Sequence, residues 1–365
     1  MVNYNDIAKI AQVSSTTVSH VVNKTRFVSP ETRDKVLKAM KELNYKPNLL
    51  ARGLATGVTH TIGIVISDIK NPFYPEIIQG VEELAIRSEY NIFLCNTDYD
   101  VEKGLKSIGA LIRKKVDGII IASSQADKFL FKELAESTIP FVLVDWNESK
   151  INVDSIYFDF ESGIRKAIEY LVSLGHKKIY FISGPKDLKT ASIRENNFIS
   201  IIKGYESEEI SYKIIEGNHK IDGGINAAKE IEKEKDMPTS IICSNGLTAI
   251  GVMKTLQIDG ISIPDKISII GLDNIMLSEI VTPSLTTIAL ERYLIGKSAV
   301  ELLINRMKNK KIPKQTKYFD TKLIVRESTS KARNSCYFYL SLHVLRFSCN
   351  ILFLNCQITA NITES

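Results

Sequence analysis

From about residue 61 to 328 the chain alternates between short apolar runs and longer amphipathic stretches, and few folds accept that alternation. The runs fall at 62–66, 92–95, 118–121, 141–144, 179–182, 240–243 and 267–270, each four or five residues long. Such runs are too short for buried helices and lack the in–out alternation of a half-exposed strand, so they suit strands covered on both faces of a parallel sheet. The stretches between them, such as 76–88, 161–174 and 224–235, carry apolar residues at helical spacing. Repeated strand–helix units build an α/β fold. Two sets of them predict two doubly wound lobes, with a ligand in the cleft faced by the strands' carboxyl ends.

The first 60 residues follow another pattern. Ile7, Ile10 and Ala11, then Val18, Val21 and Val22, form two short bursts at three-to-four spacing, with Val13 placed to plug the angle between two helices. Ser14 is positioned to cap the second helix by accepting a backbone N–H near Thr16 or Thr17. Ser29 and Pro30 open a third helix that runs to about Asn44, with Val36, Leu37, Met40 and Leu43 as its core face. This is a small all-α helix-turn-helix unit. Residues 1–60 hold nine Lys/Arg against four Asp/Glu, which accounts for the whole formal charge of +5. A basic module on a neutral body points to double-stranded DNA as partner. Ser15, Thr16, Ser19 and His20 on the second helix are candidates for base edges in the major groove, and Lys24 and Arg26 for phosphates.

In the body, polar residues gather where the predicted strands end. Asn71, Phe73 and Tyr74 follow the first strand, Asp145 and Trp146 the fourth, and Arg194 is expected in a loop after the 179–182 strand. Asn245 follows the 240–243 strand and Asp273 the 267–270 strand. Aromatic faces against sugar C–H groups, with Asp, Asn and Arg against hydroxyls, make a reasonable pocket for a small sugar. No nucleophile elbow, P-loop, HExxH or GxGxxG occurs, so the expectation is a non-enzyme without cofactor. Five cysteines without a CxxC pair and five scattered histidines give no metal spacing.

The string A-x-x-A-x-V-S-x-x-T-V-S-x-V-V-N at 8–23 closely resembles the lactose-repressor family of transcriptional regulators, and 14–28 resembles its purine and ribose operon branch. By that resemblance Ser15, Thr16 and His20 face bases, and a hinge helix follows the third helix. Leu54 in N-L-L-A-R-G-L-A (48–55) then matches a leucine wedged into the minor groove. N-P-F-Y at 71–74, C-N-T-D at 95–98, V-D-G-I-I at 116–120 and V-D-W at 144–146 look most like the ribose-repressor type. G-H-K-K-I at 175–179 and P-x-L-T-T-I at 283–288 are general family marks. The resemblance implies a periplasmic-binding-protein-like core whose pocket is lined by Asn71, Phe73, Tyr74, Asp145, Trp146, Arg194, Asn245 and Asp273. His219 stands where related members carry an aromatic residue. It implies a homodimer on a near-palindromic operator, controlled by a ribose-like effector.

The expected organisation is a DNA-binding domain at 1–47, a hinge and linker at 48–60, a two-lobed effector-binding and dimerisation domain at 61–328, and an atypical tail at 329–365. That tail carries three of the five cysteines and is read as an idiosyncratic extension, as from an altered reading frame. Arg346, Asn350 and Asn355 interrupt its apolar residues and argue against a membrane helix. Without an export signal at 1–6, the expected location is the cytoplasm. Two rivals share parts of this reading. A sugar-binding transport protein has the body without the helix-turn-helix. A carbon-catabolite regulator answering a phosphorylated carrier protein matches A-R-G-L-A at 51–55.

Overall fold

The computed structural model describes residues 2–23, 25–46, 57–122, 133–134, 136–145 and 153–333, apart from the side chains of 206–208. Lys24, Leu54 and Trp146 lie outside the described residues, as do residue 47 of the expected DNA-binding domain, 48–56 of the expected hinge segment and 334–365 of the expected tail.

Three helices form the N-terminal unit: α1 (Tyr4–Ala11), α2 (Ser15–Asn23) and α3 (Pro30–Glu42). Asn3 and Asp6 make a reciprocal capping box on α1. Ser14 Oγ accepts the Thr17 N–H at 3.0 Å to cap α2, and Ser29 accepts from Thr32 at the start of α3. Ile7, Ala8, Ala11, Val18, Val21, Val36 and Ala39 are the buried core, with Met40 and Leu43 packed against it. Two expected core positions differ: Leu37 is 48% exposed and Ile10 41%. Ala39 fills the inner face of α3 instead, because three short helices leave room beneath α1 for a methyl group rather than a fourth branched side chain.

The body opens with β1 (Thr61–Ile66), α4 (Phe73–Arg87), β2 (Asn91–Asn96), α5 (Val101–Arg113), β3 (Gly118–Ala122), β4 (Phe141–Val144) and β5 (Asp154–Phe158). It crosses through α6 (Phe160–Ser173) into β6 (Lys178–Ile182), α7 (Lys189–Ile202), β7 (Ser211–Ile215), α8 (Ile221–Ile231), β8 (Ser240–Cys243), α9 (Gly246–Ile258), β9 (Ser268–Leu272), α10 (Leu277–Ile280) and β10 (Thr286–Ala289). It returns through α11 (Arg292–Lys308) to β11 (Thr316–Phe319), then crosses again to β12 (Lys322–Ile324). The sheets run β11-β5-β4-β3-β1-β2 and β12-β10-β9-β8-β6-β7. Every pairing is parallel except β10 with β12. This is the doubly wound, two-lobed α/β architecture expected from the apolar runs.

The chain passes between the lobes three times, and helix packing holds the return path. A Cβ placed on Gly80 of α4 would lie 2.1 Å from the Tyr293 carbonyl oxygen, and one on Gly296 of α11 would lie 2.1 Å from that of Ile77. Only glycine at both positions lets the two backbones touch, which seats α11 on the first lobe.

Residues 329–333, counted with the tail from sequence, are bonded into the second lobe. The Ser330 N–H donates to Ser268 Oγ and its carbonyl accepts from His176, the Ala332 N–H donates to the Leu174 carbonyl, and Arg333 pairs with Asp265. No helix among the described residues is long and apolar enough to cross a membrane.

Candidate functional site

On α2, Ser15 and Thr16 are exposed, and Arg26 is exposed beyond the helix end. Ser19 and His20 are half-buried and engaged locally: Ser19 Oγ accepts from Asn23 Nδ2 at 3.2 Å, and His20 Nδ1 lies 2.8 Å from Thr25 Oγ1. The His20 contact leaves Nε2 for an outside partner.

Between the lobes lies a cavity of about 40 Å³, bounded by segments at the carboxyl ends of both sheets. It gathers Asn71, Phe73, Tyr74, Asp145, Arg194, Asn245 and Asp273 from the expected set. Tyr99, Thr190 and His219, absent from that set, also line it. Tyr99 stands one residue past the C-N-T-D string, and His219 is the residue noted in place of an aromatic. Thr190 is one helical turn before Arg194, a spacing that itself places both on one face.

Local chemistry explains each placement. Asn71 Oδ1 accepts the Phe73 N–H at 3.0 Å, fastening the entry to α4. Asn245 caps α9 by accepting from Thr248 at 2.9 Å, and its Nδ2 donates to the His219 carbonyl at 2.7 Å. Arg194 is not in a loop: it lies inside α7, because the strand is followed by only a short turn before that helix begins at Lys189. Its guanidinium stacks 4.0 Å above the Phe160 ring and donates through Nη1 to the Ser244 carbonyl at 2.7 Å. From there it stands 3.6 Å from Asp145 and 3.7 Å from Asp273, close enough to attract both carboxylates but too far to hydrogen-bond either.

The result is a small polar site with buried atoms left unpartnered. Arg194 Nε, Asp273 Oδ1 and His219 Nε2 are buried with no hydrogen-bond partner among the described residues. Burial pushes the His219 imidazole down to about 3, helped by Arg194, so it is neutral near pH 7. Burial raises Asp273 and Tyr74, and takes Tyr99 to about 12. Among the described residues no cluster of His, Cys, Asp and Glu could hold a metal ion.

Asp145 is raised from 3.8 to about 6, chiefly by burial; Arg194 opposes the shift and Asp273 adds to it. Because the folded protein holds this proton more tightly than the unfolded chain, ionised Asp145 costs stability. The cost is absent below about pH 4, grows between about pH 4 and 6, and is full above. Asp145→Asn is therefore expected to raise the Tm of the ligand-free protein by a few degrees at about pH 7.5 and to leave it unchanged at about pH 4. Thermal melts at the two pH values check this, and equal shifts at both would refute the assignment.

Residues 3–48 match the bacterial regulatory proteins, lacI family, and residues 168–329 match a periplasmic binding protein-like domain. The chain is 39% identical over 332 residues to the HTH-type transcriptional repressor PurR of Vibrio vulnificus strain CMCP6, covering 91% of this chain and 99% of the relative. It belongs to the lacI family of bacterial regulatory proteins. The lac repressor dimer bound to operator and the anti-inducer ONPF is similar throughout, with a TM-score of 0.81, 27% identity, and coverage of 90% of this chain and 99% of that one. A LacI family regulator of Enterococcus faecalis V583 with bound ribose superposes with a TM-score of 0.68 at 30% identity, covering 75% of this chain and all of that one. This lacI-family chain is thus a DNA-binding transcriptional repressor with a two-lobed ligand-binding core. Repressors of the family bind operator DNA and small-molecule effectors and act as dimers. The Vibrio vulnificus relative carries the name PurR, while the Enterococcus faecalis neighbour holds ribose.

Proposed function

We propose that operator binding by this repressor is controlled by a ribose-like sugar held between the lobes by Asn71, Phe73, Tyr74, Asp145, Arg194, Asn245 and Asp273, with Trp146 beside them. The observation that supports this reading is the buried trio of unpartnered polar atoms on Arg194, Asp273 and His219, which line one cavity. An idle donor and an idle carboxylate oxygen a few ångströms apart each cost about 1–3 kcal/mol unless something satisfies them. A sugar hydroxyl does so because it both donates and accepts, and Phe73 and Tyr74 supply apolar faces for its C–H groups. In this reading residues 1–47 read DNA through Ser15, Thr16, Ser19 and His20, with Lys24 and Arg26 on phosphates. Residues 48–60 form a hinge with Leu54 as wedge, and 61–328 bind effector and dimerise. The effector biases how the lobes sit, and the dimer passes that bias to the hinges on a near-palindromic operator.

The chain has a single tryptophan, Trp146, next in sequence to Asp145, so its fluorescence reports this site without a label. Titration with D-ribose is expected to give a saturable change that glucose, hypoxanthine and ribose 5-phosphate do not give. Response to hypoxanthine instead would discard the sugar and favour a base-type effector. Silence from all four would shift weight to a carrier-protein partner.

A further inference from the structure

The turn that carries Asp273 is built from two consecutive non-glycine residues in the left-handed region, Asp273 at φ +80° and Asn274 at φ +47°. Side chains rarely adopt this conformation singly, and a tandem pair persists only when its surroundings hold it. Three groups hold it. The Asn274 N–H donates to Thr287 Oγ1 at 3.2 Å, and Asn274 Oδ1 accepts from Arg326 at 2.9 Å, both from within the second lobe. The third comes from the crossover that leads from β10 into the first lobe: Arg292, at the start of α11, donates through Nη2 to the Asn274 carbonyl at 2.9 Å. The same nitrogen pairs with Glu76 of α4 at 2.5 Å, and α4 and α11 pack together on the first lobe.

We propose that Arg292 is a positioning residue: anchored to α4 of the first lobe by Glu76, it holds the Asp273 turn of the second, so that how Asp273 meets the effector depends on how the start of α11 is seated. The proposal rests on the reading of Asp273 as an effector contact. The Arg292 side chain is 3% exposed, and its Nε and Nη1 have no partner among the described residues. A guanidinium so dry depends on the bonds it does make, to Glu76 and to the Asn274 carbonyl. The charge of this latch also lies near enough to Asp273 to favour its ionised form.

The test needs two readouts. In the ligand-free protein, amide hydrogen exchange at Asn274 reports the turn directly. Arg292→Met should speed it about tenfold, the equivalent of one lost charged hydrogen bond. Arg292→Lys should restore most of the protection, since an ammonium still bridges Glu76 and a carbonyl. Glu76→Gln, which weakens the anchor and leaves the guanidinium in place, should act in the same direction by a smaller factor. Unchanged exchange in Arg292→Met, or in Glu76→Gln if the first variant does not fold, overturns the proposal. For D-ribose, Arg292→Met should weaken binding about tenfold in the parent and add nothing to Asp273→Asn, because Arg292 acts through Asp273. Equal penalties on both backgrounds also overturn it. If the parent does not bind D-ribose, or Asp273→Asn binds it as the parent does, the effector reading fails while hydrogen exchange still judges the latch.

Discussion

Arg194→Met is expected to weaken D-ribose binding by about 30-fold or more and to leave repression deaf to the sugar, since truncating one partner of a buried charge set costs ~2–5 kcal/mol. Arg194 ties together segments from both lobes. It rests on Phe160, is tied to Ser244, and stands between Asp145 and Asp273. Without it Asp145 loses its counter-charge and Asp273 keeps only the more distant Arg292, so each carboxyl holds its proton more strongly. A protonated carboxyl offers a sugar hydroxyl one fewer strong acceptor. Arg194→Lys should recover little, because an ammonium has neither the flat face that stacks on Phe160 nor the fork that spans two carboxylates. Calorimetric titration of both variants, with Tm as a check on folding, measures this. A loss of less than about threefold in Arg194→Met would place the effector elsewhere.

How much of this was readable from sequence follows from what each residue's environment demands. The apolar runs gave β1, β3, β4, β6, β8 and β9 because strands covered on both faces tolerate little but aliphatic side chains, and they gave the edge strand β2 because its apolar residues are unbroken. β7 and β11, also edge strands, escaped because Lys213 and Lys317 interrupt their apolar residues, with Tyr212 and Tyr318 turned to solvent. β10 escaped for the opposite reason: Thr286 and Thr287 are fully buried, with hydroxyls bonded to Thr329 and to the Asn274 N–H. Such partners lie tens of residues away, and no local pattern announces them. The pocket divides in the same way. Asp145 and Asp273 were visible as acids at strand ends, while Tyr99, Thr190 and His219 became neighbours only once two lobes closed on one space. Arg292 offered no signal at all, since its meaning lies in Glu76 and Asn274, which the chain reaches from different lobes.

Arg306→Met should destabilise the fold by ~3–5 kcal/mol, because it leaves a buried carboxylate with only the more distant Lys314, at 3.9 Å, as counter-charge. Arg306 and Asp154 are 3% and 2% exposed, and their pairing has two arms, at 2.7 and 3.0 Å. Asp154 opens β5, while Arg306 sits in the last turn of α11. The guanidinium also donates to the carbonyls of Lys310, Ile312 and Pro313, and Asp154 accepts the Gln315 N–H at 3.0 Å. One ion pair therefore sets where the chain leaving α11 enters the first sheet as β11. A shift in melting temperature on the order of 10 °C is expected for a domain of this size. The double variant Asp154→Leu, Arg306→Met separates charge from register. If the pair mattered only as a charge needing a counter-charge, replacing both with apolar groups would restore stability. Because three carbonyls and the Gln315 N–H lose their partners as well, recovery should be partial, with β11 remaining the first strand to exchange its amides. Full recovery would mean that β11 finds its place without this anchor, and that the return crossing is held by the α4–α11 contact alone.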